Sequence, residues 1–239
     1  MLKFKKLILL CLPVFLLASN LAHAIANDVF PKKIQLEYDV RRNGKLFARV
    51  KENFSQDGKQ YRVDSTTKGV GLYALLGARK LSSVGEVTKD GLKPKHFELR
   101  QGNSASKTLL ADFDWAKSTL TMQVKGETKT EPLQAGTQDL SSYVYQFMYN
   151  PPAGNEIKVT MTTGKKLNHY QYKVVNRGLK LQAAKTSYNT VHIANVQAAG
   201  DDKKQLWLAQ DHYYLPVRYS LTDEDGATFE QTLTKINVE

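Results

Sequence analysis

The sequence predicts an all-β, mostly antiparallel protein: a large curved sheet closing into a barrel-like or half-barrel fold, with one short amphipathic helix near residues 139–149. Three observations carry this. Apolar side chains recur at every second position along most of the chain, the period of a strand with one buried face. Tight-turn pairs such as Asn43-Gly44, Asp57-Gly58 and Asp90-Gly91 punctuate that alternation. One segment switches to a helical period and is closed by Asn150-Pro151-Pro152.

Ile34, Leu36, Tyr38 and Val40 alternate with polar residues until Asn43-Gly44, the strongest short hairpin signal. Leu46, Ala48 and Val50 continue the pattern, and Tyr61 and Val63 follow the Asp57-Gly58 turn. Leu81, Ser83, Gly85 and Val87 make a further strand, closed by Asp90-Gly91. Leu109 to Trp115 and Leu120, Met122 and Val124 read as a hairpin about Ala116-Lys117-Ser118. In the second half, Ile157, Val159 and Met161 lead to Thr163-Gly164. Tyr170, Tyr172 and Val174 follow, with a turn expected near Asn176-Arg177-Gly178. Val191 and Ile193 form a short strand, and Leu206-Trp207-Leu208 reads as buried on both faces. Val217, Tyr219 and Leu221 alternate up to the Asp223-Glu224-Asp225-Gly226 turn, and Phe229, Gln231 and Leu233 close the chain. A long antiparallel sheet of this kind needs closure or covering to hide its edges.

Two places break the period. Val70 to Leu76 is apolar without alternation and reads as a short helix or a buried loop; exposed, it would form an apolar patch. Leu140, Tyr143, Val144, Phe147 and Met148 fall on one helical face, with Asp139 placed to cap free N–H groups at its start. Such a helix could plug the end of a barrel or bridge two halves of a sheet.

Residues 1–24 are set aside as a secretory signal peptide. Lys3, Lys5 and Lys6 precede an apolar stretch from Leu7 to Ala18, and Ala22-His23-Ala24 offers small residues where a signal peptidase cuts, with cleavage expected after Ala24. The apolar run is shorter than the roughly 20 residues a membrane span needs. The only cysteine, Cys11, lies inside it, which excludes a disulfide framework. Residues 25–239 then form a single β-rich domain, periplasmic in a Gram-negative cell, with no transmembrane segment. The chain is 41% hydrophobic and 24% charged, which excludes a disordered chain. Its 34 basic and 23 acidic residues give +11, yet residues 201–239 hold eight acids against four bases. The basic body suits an acidic envelope component or lipid as partner; no basic-aromatic pattern points to nucleic acid.

The chemistry-bearing residues form no recognisable catalytic pattern. His96, His169, His192 and His212 lie at no metal-ligand spacing, so no metal and no cofactor is expected. There is no nucleophile elbow, and Ser141-Ser142 after Asp139 reads as a helix start. Asp112 and Asp114 share a strand face opposite Phe113 and Trp115, which reads as a polar outer surface before it reads as a glycosidase pair. Arg218, between Val217 and Tyr219, is expected to point outward.

Several stretches carry a resemblance: Gly91-Leu92-Lys93-Pro94 with Phe97; Ala111-Asp112-Phe113-Asp114-Trp115; Gln138-Asp139-Leu140-Ser141-Ser142; Leu206-Trp207-Leu208-Ala209-Gln210-Asp211 running to Tyr214-Leu215-Pro216-Val217-Arg218; and Gly226-Ala227-Thr228-Phe229-Glu230-Gln231. In this order and spacing the chain resembles an exported bacterial family catalogued as domain of unknown function 3108. The resemblance implies a periplasmic, mostly β protein and brings no catalytic residues with it.

The expected function is a non-enzymatic periplasmic binding or carrier protein for an amphipathic, anionic envelope ligand such as a lipid, with Tyr143, Phe147, Trp207 and Arg218 as candidate ligand-binding residues. The alternatives are an envelope-assembly module with a packed interior, and a glycan or peptide hydrolase. A view of the sheet's interior separates the three.

Overall fold

The structure, a computed structural model, describes residues 30–102, 107–197 and 202–239. The predicted leader and its cleavage after Ala24 lie outside the described residues.

The strands are β1 (Lys33–Arg42), β2 (Lys45–Gln56), β3 (Gln60–Gly69), β4 (Arg79–Thr88) and β5 (Gly91–Gln101), then β6 (Thr108–Asp114), β7 (Thr119–Val124) and β8 (Glu127–Pro132). After β9 (Gln138–Asp139) and helix α1 (Tyr143–Tyr149) come β10 (Glu156–Thr162), β11 (Leu167–Ala183), β12 (Thr186–Asn195), β13 (Lys203–Ala209), β14 (Leu215–Thr222) and β15 (Thr228–Val238). All fifteen join one sheet in the order β8 to β1, then β15 back to β9. The first and last long strands thus pair in its middle: Ile34 faces Val238 and Arg42 faces Phe229. Each half is an antiparallel meander, and only the two-residue β9 runs parallel to its neighbour β10. The sheet does not close; β8 and β9 are its two ends. This is the half-barrel form of the predicted fold. The β8 end exposes Glu127 and Lys129 and pairs Lys129 with Glu131 at 2.6 Å, charges that oppose edge-to-edge association.

Turn chemistry follows the sequence at most corners. Asn43 (φ 48°) and Gly44 (φ 80°) adopt the left-handed pair that a two-residue hairpin requires. The turn expected at Asn176-Arg177-Gly178 is not formed. β11 runs straight through it with two register shifts. There the Arg177 guanidinium donates to the carbonyls of Pro152, Ala153 and Gly154, which ties the strand to the preceding loop. The reversal comes instead at Ala184 and Lys185, both at positive φ.

Three apolar clusters line the concave face. One gathers Ile34, Leu36, Tyr38 and Phe54 with Val217 and Leu233 in the centre. A second holds Phe97, Ala111, Leu120 and Met122, and a third Met161, Tyr172, Ile193 and Leu206. The segment from β9 through α1 seals all three. Tyr145 and Met148 enter the central cluster, Tyr143 and Phe147 the third, and Leu140 packs against the second and the third.

The helix spans seven residues, Tyr143–Tyr149, against the eleven expected. Asp139 is drawn into β9 and fully buried, yet its Oδ1 accepts from the backbone N–H of Ser141 and Ser142, each at 2.8 Å, as a capping carboxylate does. The far side of α1 is clamped to the β4–β5 turn. Gln146 accepts from Leu92 N at 2.7 Å and donates to the Asp90 carbonyl at 2.9 Å, and Asn150 donates to that same carbonyl. The approach requires glycine at position 91, where φ is +101° and a Cβ would lie 2.4 Å from the Gln146 amide.

Among the described residues no helix is long and apolar enough to cross a membrane.

Candidate functional site

The concave face is not filled. Between β2–β4 on one side and β10–β14 on the other lies a cavity of about 670 Å³, floored by Leu140, Ser141, Tyr143 and Val144 of the sealing segment. A cavity this size lies in the range of small-molecule sites.

Strand phase places its charges. Arg79 shares its strand face with the inward-facing Leu81 and Ser83, Lys204 with Leu206 and Leu208, and Glu52 with Val50 and Phe54, so three charged side chains point into the concave interior. Lys166 enters from the β10–β11 turn, and Asp202 and Glu224 add acids to the same lining.

Their surroundings differ. Lys204 keeps 14% of its side chain exposed, lies 3.3 Å from Asp202 and stands 5.0 Å over the Tyr170 ring. Glu52 is half-buried; burial raises its carboxyl pKa, while hydrogen bonds from Tyr145 and Ser65 pull it down, the Tyr145 hydroxyl donating at 2.7 Å. Arg79 forms no ion pair among the described residues, and burial lowers its pKa. Tyr143 and Tyr219 line the same space, their hydroxyls kept neutral by burial. Ser141, 4% exposed, lies in the floor, its hydroxyl buried without a hydrogen-bond partner. A half-buried guanidinium with no counter-ion among the described residues and the Tyr219 phenol nearby can receive an anionic oxygen.

Beneath this cavity runs a buried polar chain. Ser83 Oγ donates to Asp139 Oδ2 at 2.5 Å, and Tyr61 OH lies 3.0 Å from the same Oγ. Burial pushes the Asp139 carboxyl up to about 6, against hydrogen bonds from Ser83, Ser141 and Ser142 that favour its charged form. These groups hold the sealing segment to β4.

The four residues proposed from sequence are not brought together. Tyr143 lines the cavity, and Phe147 is buried in the adjacent cluster. Trp207 and Arg218 face each other across β13 and β14 on the convex side, where Arg218 stands 5.7 Å over the indole and 3.8 Å from Glu230. Trp207 also stacks on His192 at 4.2 Å, so Leu206 and Leu208 are buried while the indole between them is half-buried outside. Sequence reading missed Arg79, Lys166, Lys204 and Ser141. The signal for Arg79 and Lys204 is a cation in phase with buried leucines.

The remaining candidates stay apart from the cavity. Asp112 is exposed and paired with His96 at 2.7 Å, and Asp114 accepts from the backbone of Lys117 in its turn. Among the described residues no histidine lines the cavity, and no group of three His, Cys, Asp or Glu is placed to hold a metal.

Residues 36–234 match the family model described as "Protein of unknown function (DUF3108)", and the chain belongs to that family. Comparison with the curated proteins gives no match. Among solved structures, the chain is similar to a crystal structure of a "putative lipoprotein" from Parabacteroides distasonis, at 10% identity and a TM-score of 0.34, over 87% of this chain and 97% of that one.

Proposed function

We propose that this member of the DUF3108 family is an exported, non-enzymatic binding or carrier protein whose concave cavity takes one amphipathic anion, a lipid or lipid-like molecule of the cell envelope. The observation that carries this reading is Arg79, a half-buried guanidinium without an ion-pair partner among the described residues, facing about 670 Å³ of space. In this arrangement Arg79, Lys204 and Lys166 take the anionic head. Leu81, Met161 and Leu206 line the space for an apolar portion. The signal pattern over residues 1–24 and the basic body support an envelope setting.

Thermal unfolding with a soluble probe tests it. Dodecyl phosphate should raise the melting temperature, and at a hundredfold excess over its Kd the stabilisation amounts to about 2.7 kcal/mol. Dodecyl maltoside, with the same chain and a neutral head, should do far less. Equal response to the two, or none to either, would refute the anionic-ligand reading.

A further inference from the structure

The connection between β3 and β4 is a 3-10 turn, Gly71–Leu76, none of whose residues is buried. Leu72 is 84% exposed, Leu75 86% and Leu76 62%, with Tyr73 at 41%. Three large aliphatic side chains in water on one six-residue turn are an interaction surface rather than scattered surface apolarity.

The turn is built to hold them there. Val70 N donates to the Phe47 carbonyl at 2.9 Å, and the Tyr73 ring packs 4.5 Å from Phe47. Gln101 Nε2 donates to the Leu76 carbonyl at 3.1 Å, and Gly102 N to that of Ala78 at 2.8 Å. At Gly69 a Cβ would lie 2.1 Å from the Tyr73 carbonyl, so only glycine lets the turn fold back this tightly. The backbone and Tyr73 are secured while the leucines point away.

Charge selects the partner. From Ser65 to Gly85 the chain carries Lys68, Arg79 and Lys80 and no acidic residue. On the convex face beside the turn, Lys68 lies opposite Arg49 and Lys80 opposite Arg100. Arg49 and Arg100 are paired with Asp39 and Glu98, whereas Lys68 and Lys80, both exposed, have no ion pair among the described residues. The acidic turn Asp223–Gly226 lies at the same end of the sheet; along the sheet β1 and β2, with Arg41, Arg42 and Lys45 at their own turn, stand between it and the leucines, while Glu224 lines the cavity with Thr67 and Arg79. An apolar tip collared by free ammonium groups is complementary to an anionic bilayer, with a hydrocarbon layer beneath negative headgroups.

We propose that the Gly71–Leu76 turn docks the protein on an anionic lipid surface, Leu72, Leu75 and Leu76 entering the bilayer while Lys68 and Lys80 meet the headgroups. Thr67 and Arg79, paired at the base of the turn, both line the cavity, so docking brings the cavity mouth to the membrane. The docking surface does not depend on the cavity holding a ligand.

Co-sedimentation with vesicles tests it, using the chain begun at Ile25, which keeps every described residue and omits the apolar leader that would partition by itself. The protein should sediment with vesicles of equal parts phosphatidylglycerol and phosphatidylcholine, and the binding should weaken in high salt. Pure phosphatidylcholine should bind at least tenfold less. L72S/L75S should lose at least tenfold in partition coefficient with an unchanged melting temperature, since both leucines already face water; K68E/K80E should lose a similar factor on anionic vesicles only. The proposal is overturned if the unaltered chain stays in the supernatant with anionic vesicles, as it would were the turn to dock on a protein. It is equally overturned if L72S/L75S sediments as well as the unaltered chain.

Discussion

Ser83 Oγ donates a 2.5 Å hydrogen bond to Asp139 Oδ2, joining residues 56 apart in sequence across the concave face. The pair fastens the sealing segment to β4 and leaves a fully buried carboxyl with no ion pair among the described residues.

That burial gives stability a definite pH dependence. Asp139 titrates near 3.8 in the unfolded chain and about 6 in the folded one, so the folded state binds its proton more tightly. Its contribution is fully present below about pH 4 and is lost as pH rises through 6, amounting to about 3 kcal/mol at 1.36 kcal/mol per pH unit. Asp139→Asn should flatten this part of the pH profile of the urea midpoint. Asp139→Ala strands the Ser141 and Ser142 N–H groups and removes the titrating carboxyl, so its cost should be about 3 kcal/mol greater below pH 4 than well above pH 6.

Gly91→Ala should destabilise the fold by about 2 kcal/mol or more. The new methyl is strained by the positive φ of this position and displaces the Gln146 amide from Leu92 and Asp90. Adding Gln146→Ala removes the clash but not the backbone strain, so equilibrium unfolding of the double variant should show no recovery to the original stability.

Tyr145→Phe removes the donor to Glu52 while keeping the ring stacked on Phe54 at 4.7 Å. The expected cost is about 2 kcal/mol, the scale of a hydrogen bond to a charged group. The Glu52 carboxyl should move further upward, because the Tyr145 hydrogen bond holds it down. A carbon-detected NMR titration reads that shift directly.

Arg79→Glu should abolish the response to dodecyl phosphate, with at least a tenfold loss of affinity by calorimetry. Trp207→Ala should leave that affinity within twofold while lowering the melting temperature, because the indole packs against His192 and Arg218 on the convex side. Loss of binding in Trp207→Ala with none in Arg79→Glu would place the ligand outside the cavity.

Some features could be read from single residues and their neighbours. Asn43-Gly44 demanded a hairpin whatever the rest of the chain did, and Val217-Arg218-Tyr219 put the arginine outward by parity alone. The Asn176-Arg177-Gly178 expectation failed because the hydrogen bonds of Arg177 to the 152–154 loop depend on a neighbour more than twenty residues away. The helix came out shorter for the same kind of reason: Asp139 could extend a helix or pair with β10, and the Ser83 hydroxyl on a distant strand favours the second.

By itself the sequence determined the strand period, most corners and the curved antiparallel class, because alternation and turn chemistry act between residues one to four apart. It also flagged Val70–Leu76 as an apolar run out of phase. Only the tertiary structure decided that this run stands in water, that Arg79, Lys166 and Lys204 converge on one cavity, and that Trp207 and Arg218 lie on the other face. Convergence is set by how far the sheet curls and where the sealing segment docks, and those follow from packing among residues too far apart in the chain for any local pattern to encode.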